Sequence, residues 1–175
     1  QLLANYFGDN DLVQTSTPLA GLSRRPEVDV VGALAGCDLV NVSIPANIEG
    51  ATTIAKKADV AVVFLGLHST QARRSRNAHC ITRLILAFLK QRQQVASGPG
   101  MEREGFDRTN LTLPGHQPAL IEAIVATGTP TVVVLINSGG IAAEWVYSNV
   151  PGILEAYYPG ELGGDAIASL LLGDK

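Results

Sequence analysis

The chain has 175 residues, a formal net charge of −3, 46% hydrophobic and 17% charged residues, which is enough for one domain with its own core. Its longest apolar runs, such as "LILAFL", fall far short of the roughly 20 residues needed to span a bilayer. The acidic balance argues against a nucleic-acid partner, so neither membrane nor nucleic acid is expected. Gln1-Leu2-Leu3 lacks the basic start and apolar core of a signal peptide, and a first residue other than Met reads as a mature or truncated product. Cys37 and Cys80 are too few for a disulfide framework or a zinc site, and the plain expectation is buried thiols. One local feature breaks the overall balance. Residues 72–101 hold six of the thirteen basic residues and none of the sixteen acidic ones.

In chain order, "PLAGLSRR" (18–25) reads as a helix whose basic end suits the helix dipole. "EVDVVGAL" follows as a short β-branched run, and 48–58, "IEGATTIAKKA", reads as a helix. "DVAVVFLGL" (59–67) is apolar with almost no alternation, the mark of a strand buried on both faces of a parallel sheet. After residue 112 the signals resume with a helix over 118–126 that has Pro118 in its first turn, where the missing N–H does no harm. "TVVVLIN" (131–137) reads as a second buried strand, a short helical piece surrounds Trp145, "GILEAYY" (152–158) reads as a third strand, and "DAIASLLLG" as a last amphipathic helix.

Strand, turn and helix in repetition predict an α/β fold: a mostly parallel sheet with right-handed crossovers and helices on both faces. In such sheets the binding crevice lies outside the carboxyl ends of the strands. Three loops leave those ends: the one after Leu67, "NSGG" at 137–140, and "PGELGG" at 159–164. "GELGGDA" lacks the GxGxxG spacing and the chain has no phosphate loop ending in GK[ST], so tight strand-to-helix turns account for those glycines better than a nucleotide does. An anion site at Gly163 and Gly164 would reopen the nucleotide reading. Ser138 is not set in a GxSxG elbow, and His68, His79 and His116 have no partner that sequence places. Two sequons, Asn41-Val42-Ser43 and Asn110-Leu111-Thr112, would accept glycans in a secreted protein, although eight asparagines make chance sequons unsurprising.

The remaining chemistry sits in "MEREGFDRTNLTLPGHQ" (101–117), where Glu102, Glu104, Asp107, Arg103 and Arg108 crowd together. A carboxylate pair such as Glu102 and Glu104 can hold a general acid if a like charge or burial keeps one of them protonated. The arginines act the other way. A solvated acidic loop that only promotes solubility is the plain alternative.

The segments "EREGFDRTNLTLPGHQPALIEAI", "TPTVVVLINSGG" and "ILEAYYPGELGGDAIASLLLGD", with "LLANYFGD", "TPLAGL" and "AKKADVAVVFLGL" in the same order, resemble the second domain of glycoside hydrolase family 3. The resemblance covers 1–71 and 102–174. It implies an α/β sandwich that works beside an N-terminal (β/α)8 barrel of the parent chain, the barrel carrying an Asp nucleophile. The implied activity is that of a retaining, exo-acting β-glucosidase or β-xylosidase acting on oligosaccharides or on aryl and alkyl β-glycosides. By match to the family's E-G-x-D-R-like motif, Glu104 is the acid/base and Glu102 its neighbour, while Asp107 and Arg108 shape the loop. The reaction needs only a carboxyl pair, so neither metal nor organic cofactor is expected. A secreted or cell-wall location follows from the family and the sequons.

Two departures from the family follow. The barrel, its nucleophile motif, and the family domain's first and last strands are missing from the sequence, which therefore reads as an excerpt expected to be inactive alone. Residues 72–101, "ARRSRNAHCITRLILAFLKQRQQVASGPGM", interrupt the domain between "GLHSTQ" and "EREGFDR". They read as translated non-coding sequence. The alternative is a genuine insertion with a helix over 81–91, which would displace Glu104 or cap the cleft. A non-catalytic carbohydrate-binding or scaffold domain of the same fold remains the alternative function.

Overall fold

The computed structural model describes residues 15–33, 46–67 and 108–174. Glu102, Glu104, Asp107, His68, His79, both cysteines, Asn41 and the segment 72–101 lie outside them. Eight elements run in the order α1 (Pro18–Ser23), α2 (Ile48–Ala55), β1 (Ala61–Gly66), α3 (Gln117–Val125), β2 (Thr131–Ile136), α4 (Glu144–Asn149), β3 (Gly152–Glu155) and α5 (Gly163–Leu171).

The three strands form one parallel sheet in the order β1-β2-β3, with Ala61 opposite Thr131 and Val132 opposite Gly152. Successive side chains of a strand point to opposite faces, and the core divides accordingly. Val63, Leu65, Val133 and Leu135 join Ala51 and Ala55 of α2, Leu120, Ile121 and Ile124 of α3, and Val146 of α4 on one face. Phe64, Val134 and Ile136 pack with Ile167 of α5 on the other. Strands β1 and β2 are therefore apolar at consecutive positions, as burial from two sides requires.

The helices begin where local chemistry lets them. Thr17 caps α1 by accepting from the Ala20 N–H at 3.2 Å, and Asn47 caps α2 by accepting from Gly50 at 2.8 Å. On the second face α1 lies directly against the start of α5. A Cβ on Gly21 would stand 2.3 Å from the Gly164 carbonyl oxygen, and one on Gly164 would stand 2.2 Å from that of Thr17. Only glycine permits this approach. The Ser16 N–H donates to the Glu161 carbonyl at 2.7 Å and the Gly164 N–H to that of Ser16 at 3.1 Å.

Two elements end three residues before the sequence expectation. The helix over 48–58 stops at Ala55, where the Lys56 N–H closes the last turn onto Thr52 and Ile54. The third strand ends at Glu155, not 158, because Tyr157 takes a positive φ of 52° and turns the chain out of the sheet. The β-branched run at 27–33 forms no strand; β-branched composition expresses a preference that needs a neighbouring strand to be realised.

Candidate active site

The site is assembled from what leaves the carboxyl ends of the three strands. Strand β1 hands the chain to the loop containing Glu104 through Gly66, whose φ of +140° and whose closeness to β2 both exclude a side chain. A Cβ there would lie 2.0 Å from the Ile136 carbonyl oxygen. The ladder closes one residue later, with the Leu67 N–H donating to the same Ile136 carbonyl at 2.9 Å.

The free edge of Gly66 is taken by a side chain. Gln117, only 1% exposed, accepts from the Gly66 N–H through Oε1 and donates to the Gly66 carbonyl through Nε2, each at 2.8 Å. Its amide thus imitates one rung of a neighbouring strand. Each bond is worth about 1 kcal/mol net, and losing the partner of a buried group costs more. Sequence reasoning missed this residue, although a signal was present. Gln117, Leu120, Ile121 and Ile124 are the buried residues of α3, spaced i, i+3, i+4 and i+7. A polar residue in an apolar stripe is a buried amide that needs partners.

Where the described chain resumes at Arg108, it is fixed to the segment that follows β2. Thr112 forms a parallel bridge with Ala142, whose N–H donates to the Leu111 carbonyl at 2.8 Å. Leu113 is buried in the larger core cluster. Arg108, singled out from sequence, donates from Nη2 to the Thr112 carbonyl at 2.5 Å. The Asn110 side chain accepts from both the N–H and the hydroxyl of Thr112. The described geometry brings Arg108 to the end of the loop; Glu102, Glu104 and Asp107 lie outside the described residues.

Asn137 and Ser138 follow β2 directly. Asn137 is 3% exposed; its Nδ2 donates to the Gly139 carbonyl at 3.0 Å, while its buried Oδ1 has no hydrogen-bond partner among the described residues. An unfilled acceptor therefore sits at the carboxyl end of the central strand, a polar feature that sequence reading passed over. His116 precedes α3 without capping it, and its buried Nε2 has no hydrogen-bond partner among the described residues. Among the described residues no group of three or more His, Cys, Asp or Glu could hold a metal ion, and no helix is long and apolar enough to cross a membrane.

The glycine loop after β3 does not form a phosphate cradle. The Gly163 N–H donates to the Gly160 carbonyl at 3.2 Å, and that of Gly164 is spent on Ser16. The space above Gly164 is filled by Thr17. Asp165, in the first turn of α5, pairs with Arg24. That hydrogen bond holds its carboxyl below the usual value of 3.8, against the opposing effect of burial. A carboxylate at a helix N-terminus is also favoured by the helix dipole. The groups an anion would use are thus engaged within the fold.

Comparison with known proteins agrees along the whole chain. The family model described as "Glycosyl hydrolase family 3 C-terminal domain" matches residues 1–175. An Arabidopsis thaliana protein named "Probable beta-D-xylosidase 7" is 35% identical over 176 residues, covering 99% of this chain and 18% of its own length. A "Periplasmic beta-glucosidase" of Salmonella typhimurium is 42% identical over 80 residues, 46% of this chain and 10% of that protein. Among solved structures, a family 3 exo-β-xylosidase in complex with a xylobiose aziridine probe superposes with a TM-score of 0.71 at 28% identity, over 99% of this chain and 18% of that one. The chain therefore spans less than a fifth of the length of these relatives. With a parallel α/β sheet as its core and a family match from its first residue to its last, it belongs to glycosyl hydrolase family 3, as that family's C-terminal domain.

Proposed function

We propose that this chain supplies the acid/base side of an exo-acting, retaining β-glycosidase that releases terminal non-reducing β-D-xylosyl or β-D-glucosyl residues. Glu104, directly before Gly105, is the acid/base; Glu102 is its neighbour, and Asp107 with Arg108 keeps the loop in shape. The observation that carries this reading is the fixing of both feet of the Glu104-bearing segment at the carboxyl edge of the sheet. Gln117 holds the Gly66 side, and the Thr112–Ala142 bridge holds the other. Fixed feet suit a group that must meet a bond in a second domain, since a misplacement of about 1 Å can cost on the order of a hundredfold in rate.

The partner carboxylate is an Asp on the (β/α)8 barrel N-terminal to this domain in the parent protein. The two groups stand about 5–5.5 Å apart across the sugar in a retaining enzyme. Glu104 protonates the leaving oxygen while the Asp attacks the anomeric carbon; the Glu104 carboxylate then takes a proton from the water that releases the sugar. Exclusion of solvent and the like charge of Glu102 both favour the protonated form that the first step needs. A carboxyl pair completes both half-reactions without metal or cofactor. The relatives matched over 99% of the chain carry xylosidase names, which makes a β-xyloside the first substrate to try. The periplasmic relative supports a secreted parent protein.

Joined to a family 3 barrel, the chain should hydrolyse aryl β-xylosides, with the first-formed sugar keeping the β configuration by proton NMR. Glu104→Gln should lower the rate by about 10²–10⁴-fold. A first-formed α sugar, or an undiminished rate in the variant, contradicts the assignment. The chain alone should show no turnover, and turnover without a barrel would place a nucleophile within these residues. Residues 72–101 are proposed to be translated non-coding sequence interrupting the domain, and a mature message that encodes them would overturn that.

A further inference from the structure

We infer that Asn110 is the acceptor of an N-linked glycan when the chain is made on a secretory route. The sequon Asn110-Leu111-Thr112 supplies the residue types, and the folded structure leaves the site open to carry the product. The Asn110 Oδ1 accepts two hydrogen bonds from Thr112, one from its backbone N–H at 3.0 Å and one from its hydroxyl at 2.9 Å. The amide is thus engaged through its oxygen, and among the described residues Nδ2 makes no hydrogen bond. All three sequon residues are exposed, Leu111 by 47%.

The backbone beneath the sequon is anchored. The Leu111 carbonyl accepts from Ala142, the Thr112 carbonyl accepts from Arg108, and Leu113 is buried. Backbone bonds thus hold the segment against the domain while its side chains remain at the surface, where a bulky, solubilising group is tolerated. The first sugars would also cover the exposed Leu111 side chain.

The modification is a displacement. Nδ2 attacks the anomeric carbon of an oligosaccharide carried on a polyprenyl diphosphate. The new bond joins C1 to Nδ2, the bond from C1 to the diphosphate oxygen breaks, the lipid diphosphate leaves with the electron pair, and the amide proton passes to a base of the transferase.

The test is to produce the 175-residue chain behind a secretion leader in yeast, then map its peptides after enzymatic release of N-glycans, a step that converts a glycosylated Asn to Asp. The expected result is conversion at residue 110, lost in Thr112→Ala and kept in Thr112→Ser. The glycan should also come off the native protein without denaturant. Acceptor sequons are used on the nascent chain, so a variant that folds poorly still reports. The proposal is overturned by a secreted chain that is glycosylated at Asn41 but bare at Asn110, by modification at residue 110 that survives Thr112→Ala, or by a glycan released only after unfolding.

Discussion

Gln117 occupies a place that α3 otherwise gives to Leu or Ile, and its amide is matched atom for atom by the backbone of Gly66. Gln117→Leu keeps the bulk but leaves a buried N–H and a buried carbonyl without partners. It should destabilise the domain by about 1–3 kcal/mol, measured as a fall in the urea midpoint at unchanged slope. Gly164→Ala should cost at least as much, because the added carbon meets the Thr17 backbone at 2.2 Å and neither helix can yield without losing the Ser16 and Glu161 bonds. The Arg24–Asp165 pair is about half exposed on each side and belongs to the weaker class of surface ion pairs. The folded-state pKa of Asp165 is lowered, so its contribution is present above the unfolded pKa and lost as pH falls through the folded one. Melting curves of the parent and of Asp165→Asn should therefore differ at neutral pH and converge below pH 3.8; a gap that widens in acid would contradict the pairing. Only Gln117 left a trace in the sequence, as a polar residue in the apolar stripe of α3; the contacts themselves join residues far apart in the chain.

The elements themselves were largely legible. "DVAVVFLGL" and "TVVVLIN" could only be strands covered on both sides, because an apolar run without alternation has no face to give to water. Leu135 shows what that burial is worth. It is fully buried among α2, α3 and α4, so Leu135→Ala should destabilise by about 2–5 kcal/mol, again read from chemical denaturation. The misread ends share a physical cause. Apolar character continues through Ala156, Tyr157 and Tyr158, but the left-handed turn at Tyr157 stops the ladder, and composition does not report a backbone angle. The run at 27–33 had β-branched residues but pairs with no strand among the described residues, so its propensity went unused.

At the scale of the whole molecule, the parallel sheet gathers the carboxyl ends of three strands on one edge, and the segment proposed to carry the acid/base departs from that edge after Gly66. The order of motifs along the chain disclosed the family, and the family match over residues 1–175 agrees. The glycine loop after β3 illustrates the opposite case. "PGELGG" admits an anion site on paper, but α1 closes against it, and that packing is visible only in three dimensions. The measurement that bears most directly on Glu104 is the leaving-group dependence of kcat/KM, for the chain joined to a family 3 barrel and for its Glu104→Gln variant. A phenolate of low basicity departs without a proton, whereas a basic leaving group needs one. If Glu104 is the acid, the variant should lose about 10²–10⁴-fold on aryl β-xylosides with poor leaving groups and progressively less as the phenol becomes more acidic. An equal loss across the series would show that Glu104 does not protonate the leaving oxygen.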